Sequence, residues 1–166
     1  MSDRRYMREL SLINRLETEK ALIDTVNGVN TELLDKIQKD FIKTFFSETR
    51  ESSAVIRETL RMISSDSRAD QESVIALFRS FHTIKGLAGF VKAEMVRIIS
   101  AKTELILDAC VKGRLLMDDN MINIVFYSSK IIDNLCDRYQ NGVAQEYLEY
   151  IKEHMGIIED KIKEID

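Results

Sequence analysis

At 166 residues the chain suits one domain with a real core, and 45% hydrophobic with 31% charged residues is the composition of a soluble globular protein. A net charge of −4, without any basic stripe interleaved with aromatics, excludes nucleic acid as a general partner. No apolar run approaches the roughly 18 residues needed to span a bilayer, and the basic opening MSDRRYMREL lacks a signal-peptide core, so no membrane contact and a cytoplasmic location are expected.

Proline is absent and glycine numbers only 6, so little interrupts long helices. Residues 1–30 form an N-terminal extension, helical or disordered, in which Tyr6, Leu10, Ile13, Ile23 and Val26 could line an extra helix, with NGVN separating it from the body at 31–166. From about 31 to 64, Leu34, Ile37, Phe41, Phe45, Ile56, Leu60 and Ile63 recur at helical spacing, interrupted by Glu48 and Ser52. SSDSRAD breaks the pattern, and Asp70 can cap the next helix with Glu72 in its first turn. That helix carries Val74, Leu77, Phe81, Ile84 and Ala88 on one face and ends near Gly89. A third, about 93–112, holds Met95, Ile98, Ile99, Leu105 and Ile106, with Gly113 placed to end it. Asp118 or Asp119 can cap a fourth, lined by Ile122, Val125, Ile132, Leu135 and Tyr139. After the QNG turn a fifth shows Tyr147, Ile151, Met155, Ile158, Ile162 and Ile165. The expected fold is all-α: an antiparallel four-helix bundle with a fifth C-terminal helix and an extra N-terminal one.

Cys110 and Cys136 are expected to be free buried thiols rather than a disulfide, and they lack metal-ligand spacing. His154, in the last helix, reads as surface or packing, and the Met and Phe residues at helical spacing read as core. Neither a metal site nor a cofactor is expected, because H-E-x-x-H is absent and two histidines among scattered carboxylates make no ligand set.

The informative stretch is SFHTIKGLAGF, where glycines stand inside a helix beside one of the chain's two histidines. Each such glycine costs about 1 kcal/mol relative to alanine. On a helix, Ile75, Phe78, Arg79, Lys85, Gly86 and Gly89 share the face of His82, at the border of the apolar stripe. His82 should therefore project outward, with Gly86 sparing it a crowding side chain and Lys85 within reach of any negative group on the ring. An exposed neutral imidazole has a nitrogen lone pair that can attack phosphorus.

FRSFHTIKGLAGF resembles the signature of histidine-containing phosphotransfer domains, most of all the N-terminal domain of CheA-type chemotaxis kinases. The likeness runs from about 32 to 155 and includes FIKTFFSET and the entry LFRSFH. The resemblance implies that His82 is the phosphoacceptor, Lys85 the phosphoryl-side cation, Gly86 the clearance residue, and Glu104 in KTELILDAC the hydrogen-bond partner of the imidazole. Without that resemblance Glu104 reads as an exposed helix carboxylate. A carboxylate on Nδ1 would leave Nε2 as the nucleophile. The sequence departs from the family at Ala101, where a second histidine is frequent, at Lys92, where glycine is common, and at Leu87, where the residue is usually small.

The implied function is a phosphoryl carrier in a chemotaxis-like relay. It accepts phosphate from the ATP-binding domain of a histidine kinase and passes it to the receiver domain of a response regulator. No Walker-type motif or ATP site appears, so the chain is expected to be a carrier rather than an enzyme, unless it is the front of a larger kinase. A monomer is the expected state. The competing readings are a helical scaffold that keeps the motif without transfer, and an inhibitor that docks on a kinase.

Overall fold

The computed structural model describes residues 17–25, 36–66, 69–139 and 141–165, and the described residues form helices and no strands. The helices are α1 (residues 17–25), α2 (Lys36–Asp66), α3 (Gln71–Phe90), α4 (Glu94–Val111), α5 (Asp119–Asp137) and α6 (Gln145–Lys163). Their ends follow local chemistry. Asp70 accepts the Ser73 N–H at 2.7 Å to start α3, and Asp118, the expected alternative to Asp119, accepts the Met121 N–H at 2.9 Å to start α5. Gly113, with φ +71°, closes α4, and Gly142, with φ +70°, turns the chain before α6. Lys161 and Lys163 sit in the last turn of α6, opposite the helix dipole.

Helix α2 packs against α3 and α5, and α4 packs against both α3 and α5, which closes a four-helix bundle. Helix α6 lies against α4 and α5. Phe45, Ile56, Leu77, Phe81, Ile84, Ile99, Ile106, Leu107, Met121, Ile131, Ile132 and Ile151 are wholly buried between them. Of the N-terminal extension, α1 is described: Ala21 and Leu22 are buried in the core, and the Thr25 carbonyl accepts the Val143 N–H at 3.2 Å. Tyr6, Leu10, Ile13, Val26, Leu34 and the side chain of Ile37 lie outside the described residues.

Several expected core positions are not core. Phe41 is exposed because the neighbouring Ile42 takes the buried side, about 100° round α2 from it. Leu105 and Ile23 are exposed because each is one residue from a buried neighbour, Ile106 or Leu22, and so about 100° round the helix from it. Phe90 and Phe126 are exposed as well. Both cysteines are free, and burial pushes the Cys110 thiol up to about 11 and that of Cys136 to about 12, so both stay protonated and unreactive.

His154 is packing, not surface. It is 4% exposed, and its Nε2 lies 2.8 Å from Ser128 Oγ, which lies 3.0 Å from Thr103 Oγ1. This polar seam ties α6, α5 and α4 together. Burial lowers the imidazole pKa to about 4, so the ring is neutral at physiological pH. An unfolded-chain histidine titrates near 6.5, so as pH falls the unfolded chain takes the proton first, and stability present above pH 6.5 drains away toward pH 4. By pH 5 the loss from this group is about 2 kcal/mol, a fall in melting temperature of roughly 4–8 °C between pH 7 and pH 5. His154→Leu should flatten that dependence. An equally steep loss in the variant would mean that another group carries the acid sensitivity.

Candidate functional site

The α3–α4 hairpin sets the site. The Ala93 N–H donates to the Ala88 carbonyl at 2.9 Å, and the Tyr139 hydroxyl donates to the Val91 carbonyl at 2.7 Å, so the turn is pinned from within and from the segment just past the end of α5. With the turn fixed and Phe81, Ile84 and Ala88 buried along the same face of α3, the register of the two helices follows. That register places position 104 of α4 beside position 82 of α3.

His82 projects outward, its side chain 62% exposed, as the border position predicts. Glu104 Oε1 lies 2.9 Å from His82 Nδ1, and Glu104 Oε2 lies 2.6 Å from Lys85 Nζ. The second contact is an ion pair close in distance but not aligned as a hydrogen bond, which leaves Oε2 without a hydrogen-bond donor. A carboxylate can only accept, so Nδ1 carries the ring proton, and Nε2 keeps its lone pair with no protein partner among the described residues. The ring is thus presented in the tautomer that makes its outer nitrogen a nucleophile.

Glu104 is not an exposed helix carboxylate: its side chain is only 12% exposed, bridging the His82 ring and the Lys85 ammonium. Lys85 is not free beside the ring, because it is held on the same carboxylate. Gly86 stands one turn beyond His82, and a Cβ built there would meet nothing within 4 Å, so the space at this face is open beyond what a methyl group would take. On the other side Phe78, partly buried, lies 6.0 Å from the imidazole with the rings 24° from parallel. That stack limits rotation of the imidazole plane. The ring is supported from the N-terminal side of α3 and clear on the C-terminal side.

Ala101, at the place of a second histidine, leaves the Glu104 carboxylate to His82 and Lys85. His154 and Ser128 belong to the buried seam, and no cluster of His, Cys, Asp or Glu fit for a metal occurs among the described residues. The sequence reading missed the stacked pair Phe41–Phe90, with ring centroids 6.3 Å apart. Helical periodicity assigns Phe41 to the core, whereas Ile42 and Phe45 are the residues buried in that turn.

Residues 40–142 match the family model of the Hpt domain. The chain is 30% identical over 103 residues to the chemotaxis protein CheA of Salmonella typhimurium, covering 62% of this chain and 15% of that protein. It is 32% identical over 107 residues to the chemotaxis protein CheA of Cereibacter sphaeroides, covering 63% of this chain and 16% of that protein. The chain therefore spans a small part of the length of these relatives.

The geometry makes Glu104 a tautomer switch that can be read directly. In the parent protein the ring nitrogens of His82 should show the 15N shifts of an Nδ1–H tautomer; in Glu104→Ala they should move toward the Nε2–H form that free imidazoles prefer. Melting should drop only slightly, by about 1 kcal/mol of stability, because His82 and Lys85 can both regain water. Unchanged 15N shifts would remove Glu104 from the site.

Proposed function

The chain belongs to the Hpt, or histidine phosphotransfer, domain family, and on that premise we propose that it carries a phosphoryl group on Nε2 of His82 within a chemotaxis-like relay. The observation that carries this reading is the Nδ1–Glu104 contact at 2.9 Å on an exposed ring. It supplies the three needs of a phosphoacceptor imidazole: the right tautomer, an accessible lone pair, and a negative partner for the positive charge the ring gains on phosphorylation.

In the first step Nε2 attacks the γ-phosphorus of ATP held by a histidine kinase domain. The Nε2–P bond forms, the bond to the ADP oxygen breaks, and the proton on Nδ1 stays against Glu104. In the second step a carboxylate oxygen of an aspartate in a response-regulator receiver domain attacks the phosphorus. The Nε2–P bond then breaks, and neutral His82 is restored. Lys85, released from Glu104 or shared with it, offsets the charge on the phosphoryl oxygens. The protein supplies the carrier atom and its electrostatic setting, and its two partners supply nucleotide and acceptor.

Incubation with a kinase ATP domain and γ-labelled ATP tests the reading. Label should appear on His82, be lost in acid, survive alkali and vanish in His82→Gln. Failure to label with several competent kinases would favour a scaffold.

Gly86 gives the sharper test of how the carrier is used. Gly86→Gln should raise stability by up to about 1 kcal/mol, since glycine is a poor helix former and nothing crowds the position. Transfer to a receiver should nevertheless fall at least about tenfold, because the longer side chain fills the open side of the ring on which the acceptor must close. Unchanged transfer beside the stability gain would mean that the clearance serves no partner.

A further inference from the structure

Besides Glu104, helix α3 brings a second group to the phosphoacceptor ring. Side chains on an α-helix lean toward its N-terminus, so the imidazole of His82 leans back over position 78, one turn earlier. Phe78 stands there, its ring centroid 6.0 Å from that of the imidazole and the two planes 24° apart. The phenyl ring is partly buried against the core, which holds it in place, while the imidazole is exposed. Among the described residues no other aromatic ring meets His82. Any bulky neighbour would restrain the plane of a neutral imidazole. An aromatic face does more once the imidazole is charged.

We propose that Phe78 is a positioning residue that supports the positive charge of the His82 ring while that ring is phosphorylated; the proposal rests on the carrier reading above. When Nε2 bonds to phosphorus and Nδ1 keeps its proton, both ring nitrogens are substituted and the imidazole becomes an imidazolium. A phenyl ring is negative on its face and positive at its edge, so it attracts a cation within about 6 Å of its centroid. The neutral imidazole gains only the ordinary stacking contact. An interaction stronger in one of two states shifts the balance toward that state by the difference. Phe78 therefore favours the phosphorylated form.

The charges already at the site leave this task open. Glu104 is the carboxylate in contact with the ring, and its second oxygen lies 2.6 Å from Lys85 Nζ. One negative charge is thus divided between an ammonium and the imidazole. Along α3 the neighbouring charges, Arg79 and Lys85, are both cations, and neither relieves a positive ring. A second carboxylate would relieve it, but would also repel the phosphoryl oxygens and the attacking aspartate. An aromatic face gives relief without a formal charge. It also sets the direction of a rate effect. As the Nε2–P bond breaks the ring loses its positive charge, so the stack is weaker in the transition state than before it, and Phe78 slows loss of the group.

The experiment needs no kinase. Phosphoramidate phosphorylates histidine chemically: the Nε2–P bond forms, the P–N bond of the reagent breaks, and ammonia leaves. The intact chain is phosphorylated in this way, with His82→Gln as the blank, and hydrolysis to inorganic phosphate is followed by 31P NMR. Phe78→Leu should lose the group about two- to fivefold faster than the parent, and Phe78→Tyr should restore the parent's lifetime. Proteins carrying successively more fluorine on the Phe78 ring keep its shape while the negative face is drained. Their lifetimes should shorten stepwise while their melting temperatures match the parent. Equal lifetimes in the parent, Phe78→Leu and the fluorinated proteins overturn the proposal and leave the carrier reading in place. A loss in Phe78→Leu with no trend across the fluorine series also overturns it, because bulk alone then explains the effect. Failure of every kinase to label His82 in the parent would overturn the carrier reading itself, and with it the task assigned to Phe78.

Discussion

One carboxylate determines what this domain can do. Glu104 is held between His82 and Lys85, with one oxygen to each. A carboxylate offers acceptors only, so the ring proton has no choice of nitrogen. Without that constraint an exposed imidazole would populate both tautomers, and its outer nitrogen would spend most of its time protonated and unable to attack. The contact is exposed enough on the histidine side to cost little desolvation and covered enough on the glutamate side to stay in place. It also depends on the register of α3 against α4, because a shift of one residue would rotate Glu104 about 100° away from the ring. The turn hydrogen bonds at Ala93 and Tyr139 therefore act on the chemistry some ten residues away.

The domain separates two kinds of polar work. On the outer face, His82 is exposed and Lys85 partly so, while Glu104 is covered between them. Inside, Thr103, Ser128 and His154 form a seam that ties α4, α5 and α6 without any charge, since burial holds His154 neutral. Thr103 and Glu104 are consecutive residues of α4, pointing to opposite tasks. The seam fixes the helix from behind, and the carboxylate faces the site in front. Such an arrangement gives the site rigid support, which precise placement of a nucleophile requires.

Much of this was legible in the sequence. The helices fell where periodicity and the aspartate caps placed them, because three-residue spacing and side-chain caps are local and need no partner. His82 could be placed outside from its position at the edge of the stripe through Phe81 and Ile84. Whether a stripe residue is covered depends instead on the angle at which each helix meets its neighbours, and Phe41 and Leu105, each one residue from a buried isoleucine, show that periodicity alone cannot say. Glu104 could be found only by likeness to a known pattern, since a separation of 22 residues is invisible until a hairpin register is chosen. The buried hydrogen bonds of His154 were equally out of reach, because they join three helices through side chains of small size.

The glycines and the lysine near the site show how local cost and function sort themselves along one helix. Gly86 lies in open space, with φ in the ordinary helical range, so neither crowding within the protein nor backbone geometry requires it. Gly89 is likewise free of serious conflict, a Cβ there meeting only the flexible Arg97 side chain at 3.8 Å. The position whose geometry does call for glycine, after the helix end, holds Lys92 instead. Glycine thus stands where the fold could take a side chain, and a side chain stands where the fold would take glycine. Selection for folding by itself would reverse both choices. The bare face at Gly86 follows if it is kept open for an active site that must close over the ring, while the left-handed turn at Lys92 ends α3, with its N–H on the Gly89 carbonyl and that of Ala93 on the Ala88 carbonyl.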